Sequence, residues 1–325
     1  MKKNMVSVVM TVFNEQKYLS KAIDSILAQS YPFWELIIVN DGSTDRSDEI
    51  IRTYDDERIR YFAYKENKGN PYALNMGMKN ALGEYIVPFA GDDVAYPNML
   101  EVQVEYLNNN PNCIHVHGTM DYIDSEGVVF KRNVVNKYTS DIEIRAYMLF
   151  GNCVTGGSSM FRRKALVEYG VRYDLEALVS QDYLFWLDML PFGEFSAIND
   201  TVFQYRCNYG SNSHKIMDEN REWYNNFMRR IFMHAWRQRG FDMNKKDIHF
   251  IHDFLYQKKL LWRGNDIKQG IETFRKVQKQ IKELNLKEKD LILQYYIKEW
   301  KTIYGIYLYN NRVTMMFKKL KRRCD

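Results

Sequence analysis

Across residues 1–90, short apolar runs alternate with helix-patterned segments, and each run stops at polar or acidic residues. Met5–Val12 is a continuous β-rich stretch, the pattern of a strand buried on both faces. Leu19, Ala22, Ile23, Ile26 and Leu27 then recur at helical spacing within residues 18–29. Trp34–Val39 predicts a second buried strand, ended by Asn40-Asp41-Gly42, with Ser43 or Thr44 placed to cap a helix from near Asp45. A strand at Ile59–Tyr64, a helix over 71–82 and a strand at Tyr85–Phe89 complete the series. Repeats of this kind demand right-handed crossovers and therefore a parallel sheet. Ligands of such sheets gather at the carboxyl ends of the strands. Here those ends carry Thr11–Glu15, Asp41 and Asp92-Asp93.

Further along, Cys113–Val135 reads as two strands about a turn at Asp124–Gly127, and 141–150 as a helix. Gly156-Gly157-Ser158-Ser159 leads into a short strand ending at Arg162; Asp182–Leu190 reads as a helix and Ala197–Tyr205 as a strand. Beyond about Ile216 the pattern is helical and basic. Residues 216–325 hold 25 Lys and Arg against 13 Asp and Glu, leaving 21 against 28 for residues 1–215. The whole-chain net charge of +5 hides that split. The expected division is an α/β domain at 1–215, with polar and acidic residues gathered where a nucleotide would bind, and a basic, aromatic-rich helical region at 216–325. A basic region beside an acidic body implies an anionic partner, such as a membrane surface or nucleic acid.

The four cysteines show no metal-finger spacing, which fits a reduced compartment. No run approaches the length of a membrane span, and Met5–Phe13 is too short for a signal peptide and lacks a cleavage site. These features predict a cytoplasmic chain. No GxGxxG follows the first strand, and GxxxxGK[ST], HExxH and GxSxG are missing, which removes most support for dinucleotide redox, P-loop, zincin and hydrolase chemistry. What remains is carboxylates at strand ends. Such groups suit Mn²⁺ or Mg²⁺, hard ions that bridge phosphates, and suit a general base. Asp92 and Asp93 fit the metal role, with a capped turn as the alternative. His115 and His117 share a strand face but lack a third ligand, so a packed strand is the default.

The order of segments resembles family 2 glycosyltransferases of the GT-A fold. The strings that carry it are Val8-Val9-Met10-Thr11-Val12-Phe13-Asn14-Glu15, Ile38-Val39-Asn40-Asp41-Gly42-Ser43-Thr44-Asp45, Asn67-Lys68-Gly69, Ala73-Leu74-Asn75-Met76-Gly77 and Gly83-Glu84-Tyr85-Ile86. Gly91-Asp92-Asp93, Gln181-Asp182 with Trp186-Leu187, and Tyr205-Arg206 continue the series over residues 5–213. The resemblance implies a GT-A-type, Rossmann-like α/β fold with a mostly parallel sheet, flanked by helices and followed by a helical extension. It implies an inverting, metal-dependent transferase that moves a sugar from a UDP-sugar to a glycan or lipid-linked acceptor, in the manner of enzymes of bacterial surface polysaccharides.

Position by position, the resemblance places Thr11, Phe13 and Glu15 along the uridine and Asp41 at the base. Asn67, Lys68, Gly69 and Gly91 would lie about the nucleotide. Asp92 would hold the metal and Asp182 would deprotonate the acceptor hydroxyl. Three departures stand out: Ala90 replaces the first acid of the DxD motif, Gln181 the Glu of the ED pair, and Asn208 a common His. His214 is a further candidate for the diphosphate. Aromatic and basic stretches at Ile303–Tyr309 and Phe317–Arg323 suit peripheral contact with the inner face of the membrane. Transfer to a lipid phosphate or protein is the alternative. A nucleic-acid-binding scaffold leaves the placed acids without purpose, so nucleic acid is not an expected partner.

Overall fold

The structure, a computed structural model, describes residues 2–134, 136–207, 219–253 and 264–301. Its sheet grows outward from β1 (Lys2–Val12), whose Val6, Val8, Val9 and Met10 are fully buried. After α1 (Leu19–Leu27), β2 (Trp34–Asp41) pairs parallel with β1. After α2 (Ser47–Arg52), β3 (Ile59–Tyr64) adds parallel to β2. α3 (Asn70–Asn80) then returns the chain to β4 (Gly83–Ala90) on the other side of β1. Each crossover is the right length for one helix, so the parallel arrangement follows from the pattern.

The second half is mixed. β5 (Val94–Ala95) precedes α4 (Met99–Asn109), and β6 (Cys113–Ile123) turns into β7 (Val129–Val134) as a hairpin. Beyond α5 (Asp141–Tyr147), β8 (Ser159–Arg162) runs antiparallel to both β4 and β6. α6 (Lys164–Val167), α7 (Gln181–Met189) and a 3₁₀ turn at Leu190–Phe192 lead to β9 (Glu194–Arg206), parallel to β6. The resulting order is β3-β2-β1-β4-β8-β6-β9-β5, with β7 beside β6.

One face of β1 packs Val8, Met10 and Val12 against Leu19, Ile23 and Ile26 of α1 and Met99, Leu100 and Val104 of α4. On the other face α3 crosses so closely that a Cβ at Gly77 would stand 2.3 Å from Val9 Cγ1. Only glycine allows that approach. At the end of the sheet remote from Asp41, the buried Glu35 carboxylate accepts from Ser7 Oγ, from the Leu82 N–H at 2.7 Å and from Arg60 Nη1 at 2.8 Å. That network welds β1, β2, β3 and the entry to β4.

The chain divides into two compact units, residues 1–144 with 153–221, and residues 145–152 with 222–325, masked segments apart. In the second unit α8 (Arg221–Gln238) buries Tyr224, Phe227, Met228, Ile231, Phe232, Ala235 and Trp236, a stripe at helical spacing. Trp236 donates its indole N–H to Leu149 O at 3.0 Å and packs edge-on against Phe150 and Phe241. α9 (Lys245–Ile251) opens with a capping box between Asn244 and Asp247. The buried Asp247 also accepts from Thr273 Oγ1 and Lys276 Nζ of α10 (Gly264–Glu283). Phe274 stacks on Tyr296 and Trp300, so much of the aromatic content of this region is packing. Tyr256, Trp262, Ile303–Tyr309 and Phe317–Arg323 lie outside the described residues. Among the described residues no helix is long and apolar enough to cross a membrane.

Replacing Glu35 with Ala is expected to lower the unfolding free energy by about 3 kcal/mol, because it leaves buried donors without an acceptor. Urea denaturation checks this, and Glu35→Gln, which keeps one acceptor oxygen, should lose less.

Candidate active site

Register brings the candidate residues together at one end of the sheet. Val12 lies opposite Asn40, Thr11 opposite Ala90, and Asp41 opposite Tyr64, so the ends of β2, β1 and β4 form a continuous rim. Asp41 is 3% exposed, and its carboxylate accepts the Lys68 N–H at 2.9 Å and the Gly69 N–H at 2.8 Å. It thereby pins the 67–69 loop, helped by Asn67 Oδ1, which also accepts the Gly69 N–H. Gly42 permits the closure: its φ is +76°, and a Cβ there would sit 2.5 Å from the Glu66 carbonyl carbon. The Lys68 ammonium lies 4.7 Å and 4.8 Å from the ring centroids of Tyr64 and Tyr72. Phe13, 36% exposed, stands at the mouth of this rim beside the half-buried Thr11.

The next loop is held from below. Asn14 is left-handed (φ 58°), a conformation Asn tolerates. Its N–H donates to Ser43 Oγ, the Glu15 N–H to Ser47 Oγ and the Gln16 N–H to Asp45 Oδ2. Ser43 and Thr44 do not cap α2, contrary to expectation; its cap is Arg46, without a side-chain bond, and the two residues serve this loop-to-loop clasp instead. Glu15 faces the turn after β4, where the Gly91 N–H donates to Thr11 O at 3.1 Å. Burial, then the negative charges of Asp92 and Asp45, push the Glu15 carboxyl up to about 8 against the pull of Arg206. Burial and Asp92 likewise hold Asp93 well above the ordinary carboxylate range.

Arg206 organises this crowd. Its N–H donates to Asp93 Oδ1 at 2.9 Å, its Nε to Asp92 O at 2.7 Å and its Nη1 to Asp124 O at 2.7 Å. The guanidinium also lies 4.2 Å from the Tyr18 ring centroid. Asp93 is only 4% exposed, whereas Asp92 is half-buried. Among the described residues no group of three or more His, Cys, Asp or Glu is arranged to enclose a metal ion. Glu15, Asp92 and Asp93 are nonetheless hard oxygen donors whose charges act on one another, the donor type that a divalent cation shared with phosphate oxygens takes.

Asp182 approaches from the opposite wall. Ser180, left-handed at φ 50°, bends the chain into α7 and sets Asp182 in its first turn, where Oδ1 accepts the Tyr183 N–H. Non-glycine residues hold that conformation at a cost of about 1 kcal/mol or more, a strain concentrated at functional sites. Asn75, within one of the recognised strings, exchanges two hydrogen bonds with the backbone of Tyr173, whose buried phenol feels the Asp182 charge. A Cβ on Gly156 would lie 4.0 Å from Asp182 Cβ. Tyr205 links the two walls: burial, then the charges of Asp93, Asp92 and, more weakly, Asp182, push its phenol up to about 12. Asp92 and Asp182 therefore both lie within electrostatic reach of one side chain, within a single compact unit.

His115 and His117 are fully buried; His115 contacts Ser159 Oγ at 3.0 Å and stacks on Phe195, and neither reaches the cleft carboxylates by any recorded bond. Asn208 and His214 lie outside the described residues. Sequence reading noted Tyr205-Arg206 but gave neither a role, since Arg206 meets its partners across more than a hundred residues of chain. Tyr18 carried no signal beyond its place before a helix.

Glu15 keeps its proton in the folded chain up to about pH 8 and loses it near 4.5 when exposed. Stability is therefore expected to fall as pH rises between those values. Glu15→Gln should flatten that slope in thermal unfolding, matching the parent near the lower limit and exceeding it above pH 8.

Comparison with known proteins identifies the family. The family model described as glycosyl transferase family 2 matches residues 7–170. An uncharacterised glycosyltransferase of Rickettsia felis is 33% identical over 224 residues, 67% of this chain but 36% of its own length. The chain thus spans little more than a third of that relative. The Escherichia coli protein WfgD, named UDP-Glc:alpha-D-GlcNAc-diphosphoundecaprenol beta-1,3-glucosyltransferase, is 28% identical over 67% of this chain and 84% of its own. The crystal structure of S. aureus TarS 1-349 in complex with UDP-GlcNAc matches with a TM-score of 0.63 over 94% of this chain and 92% of that one, at 17% identity, a likeness of fold. The chain belongs to glycosyl transferase family 2.

Proposed function

We propose that this glycosyltransferase takes a UDP-sugar as donor and passes the sugar, with inversion, to the hydroxyl of a glycan or lipid-linked saccharide. The observations that support this reading are Asp182 in the first turn of α7 and Asp92 in the turn held by Arg206, both near enough to Tyr205 for their charges to reach its phenol. Asp41, Thr11, Phe13 and the Asn67-Lys68-Gly69 loop form the base and ribose side; Gly91 and Glu15 border the diphosphate.

Asp92 is the carboxylate assigned to a divalent cation, together with the donor's phosphate oxygens; Asp93 stands behind it, held by the Arg206 N–H. Bound Mn²⁺ or Mg²⁺ neutralises the charge that grows on the departing diphosphate. Ala90 contributes no oxygen at the position where the motif has its first acid, which favours weaker metal binding. Asp182 takes the proton of the acceptor hydroxyl as that oxygen attacks the anomeric carbon from the face opposite the diphosphate, so the centre inverts. Gln181 beside it is neutral and adds no second negative charge next to the base.

WfgD's named acceptor, a GlcNAc-diphosphoundecaprenol, supports a lipid-linked saccharide acceptor for this chain, in surface polysaccharide synthesis. The catalytic role is assigned to residues 1–215. The basic region 216–325 is assigned to contact with the anionic inner surface of the membrane.

A donor screen with Mn²⁺ and Mg²⁺, following UDP release, tests the reading. Asp182→Asn should lower turnover by roughly 10²–10⁴-fold while UDP affinity stays within about twofold. Asp92→Ala should remove stimulation by the divalent ion. Normal turnover in Asp182→Asn would exclude its role as base and leave the fold untouched.

A further inference from the structure

Beside the cleft, three aromatic rings run outward in a row. Tyr205, 42% exposed, stands opposite Tyr122 in the β6–β9 register, and their ring centroids are 5.9 Å apart. Phe130 of β7, 59% exposed, follows 6.0 Å beyond Tyr122. Val128, 60% exposed, lies at the outer end, and the Lys131 ammonium lies 5.3 Å from the Tyr122 ring centroid.

This row is fixed to the catalytic frame. The Arg206 guanidinium that donates to Asp92 O also donates to Asp124 O in the β6–β7 turn. Asp124 Oδ1 in turn accepts the N–H groups of Glu126 and Val128, and Lys17 pairs with Glu126. Phe130 sits on a strand whose Phe130–Asn133 side chains are exposed, where an apolar ring is a liability unless something covers it.

We propose that Tyr205, Tyr122 and Phe130 form the platform on which the acceptor binds, and that the acceptor is an oligosaccharide. This rests on the donor and base assignments above. The row begins at Tyr205, next in sequence to the Arg206 that binds Asp92 O, and on the strand whose Phe203 meets Gly157 while the adjoining Gly156 meets Asp182, so a chain lying on it ends beside both acids. Rings about 6 Å apart and tilted by 60° and 42° suit successive sugar units of a twisted chain, whose C–H faces carry the slight positive charge that an aromatic face attracts. Lys131 and the exposed Arg132 offer donors for hydroxyl oxygens along the edge. A lipid phosphate would need cations in place of rings at the inner end, and a protein acceptor would gain nothing from three spaced rings.

The test uses the full chain with UDP and Mn²⁺ on an array of immobilised oligosaccharides of hexoses and N-acetylhexosamines, two to five units long. The wild type should retain at least one, and Phe130→Ala and Tyr122→Ala should each weaken that binding by about tenfold. Phe130→Trp should restore it, and UDP affinity by calorimetry should stay within about twofold in all variants. No saccharide retained by the wild type, or equal retention by the alanine variants, overturns the platform. Sedimentation velocity showing that Phe130→Ala only disrupts self-association overturns it in favour of a second copy. Loss of UDP binding in the wild type, with ring-dependent saccharide binding intact, sinks the donor assignment and leaves the platform standing.

Discussion

Three acids, Glu15, Asp92 and Asp93, crowd about the Arg206 guanidinium at the ends of β1 and β4. Burial and this mutual repulsion make Glu15 and Asp93 hold their protons more tightly than usual. The neighbouring loops keep the acids in place. The clasp between the 14–16 and 43–47 loops keeps Glu15 in place, and the Asp41 carboxylate keeps the 67–69 loop down. The left-handed Ser180 presents Asp182 from the far wall.

The charge crowd also explains why Arg206 touches so many backbone oxygens. Its Nε and Nη1 go to the carbonyls of Asp92 and Asp124, so the guanidinium shapes the backbone of two turns. The same bonds tie the turn after β4 to the β6–β7 turn that leads into the aromatic row.

How much of this was legible in the sequence follows from how local each signal is. β1 to β4 were readable because strands buried on both faces appear as unbroken apolar runs, with Asp41 and Asp92 marking where they stop. Asp182 was singled out by its likeness to the acid of the family's ED pair, and the helix start expected there is present as α7. The role of Ser43 was misread because the residue satisfies a cap pattern, while the N–H groups of the neighbouring loop claim it in three dimensions. Tyr205-Arg206 stood among the recognised strings, but the bonds of Arg206 and the Tyr205–Tyr122–Phe130 row could not be read, because their partners meet only through the β6–β9 and β6–β7 pairings. The inclusion of residues 145–152 in the helical unit likewise depends on Trp236 reaching the Leu149 carbonyl. Residue type alone fitted Asp92 and Asp93 equally, the family resemblance favoured Asp92, and the structure separates them by burying Asp93 and pairing it with the Arg206 N–H.

The central claim is that the donor's diphosphate lies against Asp92 with Asp182 across the cleft from it. Diffraction from crystals grown with UDP and Mn²⁺, with data collected to reveal the anomalous scattering of manganese, tests this directly. The account predicts a manganese peak bonded to an Asp92 carboxylate oxygen, about 2 Å away, with the uracil at Asp41 and the Asp182 carboxylate facing the diphosphate across open space. A manganese peak held by other side chains, or UDP lodged away from the ends of β1, β2 and β4, would contradict it.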